Sequence, residues 1–254
     1  MLAASDIPDA VRALLPAAFT LSCPAQGETS EVAFVHGSER TELVVKRTSG
    51  PIYSQWLARE ADVLRALEAT DLPVPKLIAH EVEPNDTGDA HWLVMTRVPG
   101  ESVWPELLAA DASTRHGILS QLGRTLGRVH ATPIPKIFEQ DATPWLDRHR
   151  LCAAEFAFEP DVLDALGNPT GGIRTLIHGD FTLDNVLYAD GEIQGVIDWS
   201  GSGAGDPRFD ITLALATAPE LALRPADLTA FFDGYTSVDL PAPLRKMVLT
   251  LYRA

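Results

Sequence analysis

The segment 176–198 places polar side chains between apolar runs that have the pattern of buried strands. Its second part, NVLYADGEIQGVID, contains two apolar runs that are separated by Asp190 and Gly191. Because Asp-Gly between such runs favours a tight two-residue turn, the runs are predicted to fold back on each other as a β-hairpin. The fold must therefore contain a largely buried hairpin with carboxylate and amide groups at its open end.

Counting outward from this turn pairs Asn185 with Val196 and places Asp198 opposite Leu183. The hairpin thus brings Asn185 and Asp198 together, and Asp180 lies just before the first strand at the same end. Oxygen-bearing side chains suit a hard cation such as Mg²⁺, which takes few protein ligands and completes its shell with phosphate oxygens. A nearby carboxylate can accept a hydroxyl proton, which is the arrangement that phosphoryl transfer requires. Each side chain alone is more simply explained as a turn cap, but three at this spacing favour a site.

The first hundred residues have the pattern β, β, α, β, β. Two β-rich runs at 31–36 and 41–47 indicate a hairpin, and 53–69 has the pattern of a helix. An extended segment begins within 71–78, where two prolines end the helix, and a further strand covers 91–98. We therefore predict a small antiparallel sheet with one helix.

The remainder of the chain is predicted to be mainly helical around the hairpin described above. Asp206 and Pro207 have the N-cap and first-position pattern of a helix start. The sequence predicts an α+β fold of two lobes, an N-terminal lobe over 1–98 and a C-terminal lobe over 99–254. The predicted helices of the second lobe cover 113–131, 151–166, 206–218, 226–236 and 243–253.

Lys46 and Glu60 are two charged residues in positions that otherwise face a core. Lys46 shares a strand face with Val44, and Glu60 falls on the apolar stripe of the following helix, four residues from Leu64. A charge on a buried face is costly unless it is paired, so each is the natural partner of the other. Taken singly, Lys46 could be a snorkelling strand end and Glu60 a solvated stripe edge.

The composition narrows the class of partner. The formal net charge is -15, which argues against nucleic acid and favours cationic small molecules, although acidic proteins are often simply soluble. Cys23 and Cys152 form neither a metal-spaced pair nor a disulfide framework. The first twenty residues lack the pattern of a signal peptide, and no apolar run reaches membrane-spanning length. We expect a cytoplasmic monomer or homodimer that does not bind membranes.

The motifs taken together resemble the aminoglycoside phosphotransferase family, which has a protein-kinase-like fold. The likeness extends over most of the chain, and the passage READVLRALEATDLPVPKL in the first half also resembles the family. The residues that carry it are His178-Gly179-Asp180 with Asn185, then Ile197-Asp198-Trp199, then Gly205-Asp206-Pro207 with Asp210.

The resemblance implies a role for each of these side chains. Asp180 is expected to be the catalytic base, and Asn185 and Asp198 are expected to hold Mg²⁺. Lys46 and Glu60 correspond to the family's lysine–glutamate ion pair at the nucleotide phosphates. Architectural roles are expected for His178, Asp206 and Asp210.

The resemblance also implies ATP as the phosphoryl donor and leaves GTP open. Thr29 and Ser30, in the loop AQGETSEV, are expected to contact the phosphates. Met95 would lie behind the adenine, which would bind backbone groups at Thr96 and Val98. The chain contains no Walker A motif, which excludes a P-loop enzyme.

The acceptor is predicted less sharply than the donor. The motifs HGDxxLxN and LPVP are most similar to those of aminoglycoside 3′-phosphotransferases. This resemblance implies an enzyme that confers antibiotic resistance. Kinases of macrolides, choline, homoserine or sugar amines remain alternatives, as does a catalytically silent nucleotide-binding protein. A protein kinase is disfavoured because HRD, DFG and APE elements are missing. The acidic residues that could contact an amino-sugar are Glu155, Glu159, Asp161, Asp164 and Asp227, although each of them taken singly is more simply explained as part of a solvated helix face.

Overall fold

The computed structural model describes residues 2–24, 30–37, 42–48, 50–84, 88–139, 174–216, 221 and 223–236. The chain divides into two units. The first comprises Met1–Ala69 and Val74–Val98, and the second comprises Thr70–Pro73 and Pro99–Ala254.

The first unit contains a five-stranded antiparallel sheet with the strand order β1-β2-β3-β5-β4. Four of these strands follow the sequence prediction, but β1 was not predicted, because its four residues are too short a run to show an alternation. β4 starts after the prolines of LPVP, which cannot donate to a strand ladder. The strands are β1 (Phe19–Ser22), β2 (Glu31–Gly37), β3 (Glu42–Thr48), β4 (Leu77–Glu83) and β5 (Ala90–Thr96).

Helix α2 (Pro51–Leu67) packs against the sheet face that carries Lys46. The opposite face carries Val45 and its neighbours, since successive strand residues alternate between faces. An N-terminal segment with a 3₁₀ turn (Ala4–Asp6) and helix α1 (Asp9–Arg12) covers that face. Its apolar residues Leu2, Ile7, Val11 and Leu15 pack in one cluster with Ala33, Val35, Leu43, Val45, Trp92 and Val94.

The second unit combines helices with two small sheets, in which β7 pairs with β10 and β8 pairs with both β6 and β9. The helices predicted at 151–166 and 243–253 lie outside the described residues. The other predicted helices are present, within a few residues at their ends. The elements are β6 (Glu101–Ser102), α3 (Val103–Ala109), α4 (Ala112–Ala131), β7 (Thr175–Ile177), β8 (Val186–Ala189), β9 (Glu192–Val196), β10 (Gly203–Gly205), α5 (Pro207–Ala216) and α6 (Pro225–Gly234).

Helices α4 and α6 pack at unusually close range. A Cβ added to Gly123 would lie 1.9 Å from the carbonyl oxygen of Phe231, so only glycine fits at this point of α4. This close approach fixes α4 against α6. Within the described ranges, no helix combines the length and hydropathy needed to cross a bilayer.

The hairpin of β8 and β9 turns where the sequence predicted. Asp190 and Gly191 have positive φ angles of 53° and 83°, as a type I′ turn requires, and Ala189 pairs with Glu192. Further from the turn the register shifts, because Gln194 is inserted as a β-bulge between the paired residues of β9.

The predicted pairing of Asn185 with Val196 is therefore wrong by one residue, as is the position of Asp198 opposite Leu183. Val196 pairs with Val186, and the Ile197 N–H donates to the carbonyl oxygen of Asn185 over 2.9 Å. A bulge adds one residue to one strand only, so a count that assumes a regular ladder cannot anticipate it.

Candidate active site

The loop between β7 and β8 begins with a backbone shape that only glycine can supply. Gly179 has φ of 82°, and a Cβ at this position would lie 2.1 Å from the carbonyl oxygen of Gly201. The loop and the 3₁₀ segment Trp199–Gly201 thus touch backbone to backbone. This contact holds the residues after Gly179 beside the end of β9.

Asp180 and Asn185 are joined directly. The Asn185 Nδ2 donates to the Asp180 Oδ2 over 2.8 Å and to the Asp180 carbonyl oxygen over 2.9 Å. Both contacts use the nitrogen of the amide, so its Oδ1 is the atom that can face a cation. Burial, reinforced by the negative charge of Asp198, raises the pKa of Asp180 to about 8.

Asp198 follows β9 in a left-handed backbone conformation, with φ of 64° and ψ of 67°. This conformation is uncommon for a residue with a side chain, although Asp tolerates it better than most. The Ser200 Oγ donates to the Asp198 Oδ1 over 3.2 Å. Despite the shifted register, the structure therefore gathers Asp180, Asn185 and Asp198 at the open end of the hairpin.

His178 supports the loop from within. Its backbone N–H donates to the Asp210 Oδ2 over 2.7 Å, and the Gly179 N–H donates to the Asp210 Oδ1 over 2.8 Å. The His178 Nε2 lies 3.0 Å from the Ile197 carbonyl oxygen, and its Nδ1 accepts from the Asp180 N–H over 3.2 Å. Burial lowers the pKa of His178, which favours the neutral ring that these two contacts require. The architectural roles expected for His178 and Asp210 agree with these contacts.

Sequence reasoning missed two residues, His130 and Tyr235, that support Asp210 in turn. We call the chain of contacts from Tyr235 through His130 to Asp210 the brace. The His130 Nε2 lies 3.0 Å from the Asp210 Oδ2, and the His130 Nδ1 lies 2.5 Å from the Tyr235 hydroxyl. Burial works to raise the pKa of Asp210, but hydrogen bonds from His130 and His178 lower it overall. The available sequence signal was that His130 stands four residues after Leu126 and so continues the apolar stripe of α4.

Asp206 caps helix α5, as predicted. Its Oδ1 accepts from the backbone N–H of Arg208 over 2.9 Å, the contact that an N-cap makes with the second residue of a helix. The Arg208 Nε also donates to Oδ1 and Oδ2 of Asp206 over 2.8 Å and 2.9 Å. The side chain of Asp206 therefore serves as the N-cap of helix α5.

Lys46 and Glu60 form a buried ion pair within the first unit. The Lys46 Nζ lies 3.0 Å from both the Oε1 and the Oε2 of Glu60. Lys46 is 8% exposed and Glu60 is 1% exposed. The pairing inferred from the strand and helix patterns is thus present in the structure.

The positions expected at a nucleobase lie on β5 and just after it. Met95 is buried in the sheet, and Val98 is buried beyond the strand end. The Thr96 N–H donates to the Lys76 carbonyl oxygen over 2.9 Å. Ser30 directly precedes β2 and is half-buried, whereas Thr29 lies outside the described residues.

The structure places Asp227, a predicted substrate contact, in a cluster of charges near the start of α6. Asp227 is 4% exposed, and its Oδ2 lies 3.1 Å from the Arg115 Nε and 3.2 Å from the Arg224 Nε. These ion pairs give Asp227 a role in joining α6 to α4. The other predicted substrate contacts, Glu155, Glu159, Asp161 and Asp164, lie outside the described residues.

The oxygen donors of Asn185 and Asp198 fit a hard cation. In the part of the chain that the structure describes, no three His, Cys, Asp or Glu side chains come close enough to form a metal site by themselves. A cation here would need further oxygens, which fits Mg²⁺ because this ion is commonly bound by one or two protein groups together with substrate phosphates. Burial is the main cause of the raised pKa of Asp180, and the negative charge of Asp198 adds to it.

The fold and the buried lysine–glutamate pair together define a kinase-like protein. The chain belongs to the phosphotransferase enzyme family (APH), which it matches over residues 21–246.

Relatives with several functions are similar in sequence. The chain is 27% identical to acyl-CoA dehydrogenase family member 10 of Mus musculus over 206 aligned residues. The alignment covers 73% of this chain and 19% of that protein. It is 28% identical to viomycin phosphotransferase of Streptomyces vinaceus over 209 aligned residues, and the alignment covers 73% of this chain and 71% of that protein. It is 24% identical to an aminoglycoside 3′-phosphotransferase of Escherichia coli over 165 aligned residues, and the alignment covers 57% of this chain and 58% of that protein. The chain spans between 19% and 32% of the length of the acyl-CoA dehydrogenase relatives.

Solved structures confirm the predicted α+β, protein-kinase-like fold. The amicoumacin kinase hAmiN, in complex with AMP-PNP, Ca²⁺ and Ami, has a TM-score of 0.66 at 18% identity and covers 95% of this chain and 84% of its own. The streptomycin–ATP ternary complex of APH(2")-IIa has a TM-score of 0.65 at 15% identity and covers 92% and 82%. These likenesses establish the fold.

Proposed function

We propose that this protein transfers the γ-phosphoryl group of ATP to a hydroxyl group of a small molecule, with an aminoglycoside as the favoured acceptor. The observation that carries the proposal is the group formed by Asp180, Asn185 and Asp198. A carboxyl with a raised pKa, held by an amide and lying beside a second carboxylate, is a suitable base next to a cation site.

Asp180 is the proposed base. In phosphoryl transfer such a residue orients the acceptor hydroxyl and receives its proton. The Asn185 amide fixes the Asp180 Oδ2, which leaves Oδ1 as the oxygen that can face the acceptor. Mg²⁺, held by the Asn185 Oδ1 and by Asp198, would neutralise charge on the phosphates and thereby favour the ionised form of Asp180.

The first unit supplies the proposed nucleotide contacts. Lys46, held by Glu60, presents a positive charge for phosphate oxygens. The adenine would accept a hydrogen bond from the Val98 N–H and donate one to the Thr96 carbonyl, with Met95 behind the ring. Further contacts to phosphate are proposed for Thr29 and Ser30, and GTP remains an alternative donor.

The nature of the acceptor rests on charge and on the relatives. A net charge of -15 favours a polycationic acceptor over long range, and two of the relatives described above are named for the phosphorylation of antibiotics. The proposed amino-sugar contacts are Glu155, Glu159, Asp161 and Asp164. Asp227 is left out because it is already paired with two arginines.

A second acceptor class has support from the relatives that are named acyl-CoA dehydrogenases. In those proteins the matched part is joined to several hundred further residues, so a hydroxyl-bearing acyl thioester is a second candidate. The negative charge of coenzyme A and of this chain would oppose that complex at long range. We therefore rank it below the aminoglycoside.

The test is ADP release from Mg-ATP across a panel of acceptors. The panel contains kanamycin- and neomycin-type aminoglycosides, viomycin, a macrolide, choline, homoserine and a hydroxyacyl-CoA. Turnover with one class identifies the acceptor, and Asp180→Ala should remove that turnover while nucleotide affinity is kept. Near-normal turnover of Asp180→Ala would refute the base assignment. If Mg-ATP binds but no acceptor reacts, the silent nucleotide-binding alternative gains support.

A further inference from the structure

Gln121 connects helix α4 to the β8–β9 turn and to the beginning of β9. Its Nε2 donates to the Gly191 carbonyl oxygen over 3.0 Å, and its Oε1 accepts from the Ile193 N–H over 3.0 Å. Both ends of one amide thus bind backbone groups of Gly191 and Ile193, which are two residues apart. The two partners, a carbonyl and an N–H, fix the orientation of the amide without ambiguity.

These contacts lie directly beside the β-bulge. Ile193 is the last regularly paired residue of β9 before the inserted Gln194. The Gln194 Nε2 itself donates to the Ala189 carbonyl oxygen over 2.9 Å. Two glutamine side chains, one from α4 and one from β9, therefore hold the hairpin on the turn side of the bulge.

The bulge decides which residue of β9 reaches the site. With it, the Ile197 N–H donates to the Asn185 carbonyl oxygen, and Asp198 follows at the strand end. Without it, a regular ladder would pair Asn185 with Val196. A slip of one residue moves every following side chain to the other face of the strand, and Asp198 would move with them.

We propose that Gln121 is a positioning residue that sets the geometry of Asn185 and Asp198 by fixing the register of the β8–β9 hairpin. The proposal rests on the function proposed above, in which these two side chains hold the cation. Gln121 acts through the backbone and is not a catalytic residue. Its effect should therefore fall on cation binding and on the register, beyond any loss of stability.

The test replaces Gln121 by a residue of similar size that cannot hydrogen-bond, Gln121→Met. Amide exchange measures the register, because the Ile197 N–H is protected only when it is bonded to Asn185. Mn²⁺ binding in the presence of ADP, followed by electron paramagnetic resonance, measures the cation site without turnover. We expect Ile197 to exchange at least tenfold faster and Mn²⁺ to bind at least tenfold more weakly, with nucleotide affinity in EDTA unchanged.

Three further variants make the result decisive. Gln121→Glu keeps the acceptor for Ile193 and should give an intermediate loss, whereas Arg124→Ala, an exposed change one turn along α4, should have no effect. If Gln121→Met unfolds, Gln194→Ala tests the same register from the hairpin side. Unchanged Ile197 exchange and unchanged Mn²⁺ affinity in Gln121→Met, or in Gln194→Ala if Gln121→Met unfolds, would overturn the proposal.

Asp198→Ala distinguishes a failure of this inference from a failure of the proposed function. If Asp198→Ala weakens Mn²⁺ binding while Gln121→Met and Gln194→Ala do not, the positioning role is wrong and the cation site stands. If Asp198→Ala itself leaves Mn²⁺ affinity unchanged, the assignment of the cation site is wrong, and the inference falls with it.

Discussion

The ion pair of Lys46 and Glu60 gives a prediction whose magnitude follows from its geometry. At 3.0 Å the Coulomb attraction is about 5.5 kcal/mol with an effective dielectric constant of about 20. The desolvation of two nearly buried charges offsets most of this attraction, so the pair adds little net stability compared with apolar residues. The removal of one partner leaves an uncompensated buried charge, which typically costs about 3–5 kcal/mol.

We therefore expect Lys46→Met and Glu60→Leu each to lower the free energy of unfolding by about 3–5 kcal/mol. The double variant, which replaces both charges by apolar groups of similar size, should lie within about 1–2 kcal/mol of the unmodified protein. Urea denaturation of the nucleotide-free protein measures these values, and amide exchange in α2 assigns the loss to the first unit. Lys76→Met, which removes an exposed lysine of the same unit, is the matched control and should change stability little.

Nucleotide binding separates the two roles of the pair. The double variant should fold stably and yet bind Mg-ATP poorly, because the proposed phosphate contact is lost while the core is restored. The argument from buried charge would be refuted if the double variant had a free energy of unfolding no higher than that of the less stable single variant. A single variant that loses less than about 1 kcal/mol would do the same, since it would show that the remaining charge reaches water.

The remaining predictions concern the loop that carries Asp180. Asp180→Asn should raise the melting temperature relative to the unmodified protein at pH 8 but not below pH 4, measured without metal, because ionisation of a carboxyl whose folded pKa is raised costs stability as the pH rises from about 4 to about 8. Gly179→Ala should lower turnover at least 100-fold in a steady-state assay, because the new Cβ would meet the Gly201 carbonyl at 2.1 Å. Asp210→Asn should lower the unfolding free energy by about 2–4 kcal/mol in urea, since its NH₂ group would face the backbone N–H groups of His178 and Gly179. For Asp210→Asn, an unfolding free energy within about 0.5 kcal/mol of the unmodified protein would contradict that account.

The sequence was sufficient for those parts of the site that depend on local periodicity. The pairing of Lys46 with Glu60 followed from a strand face and a helix stripe, each of which is a short-range pattern. The turn at Asp190 and Gly191 followed from the one local motif that strongly specifies a hairpin. In both cases the residues that carried the prediction lie within one element or its neighbour.

The features that sequence reasoning missed depend on contacts that no local pattern contains. Ile193, the residue before the bulge at Gln194, donates its backbone N–H to Gln121 of α4, 72 residues earlier in the chain. The brace from Tyr235 through His130 to Asp210 joins residues that are 105 and 80 positions apart. Long-range polar contacts of this kind arise only once the helices have packed, so an element-by-element prediction does not contain them.

The site contains features that are unfavourable for the free energy of folding, and contacts from the surrounding elements hold them in place. Asp198 has a left-handed backbone conformation, and burial raises the pKa of Asp180, whose carboxyl lies near it. Such features persist only where the surrounding structure over-determines them. Helix α4 contributes to this support twice, because His130 contacts Asp210, which holds the loop, and Gln121 contacts the hairpin. Helix α4 therefore helps to fix the relative position of the proposed base and the proposed cation ligands, although it supplies neither.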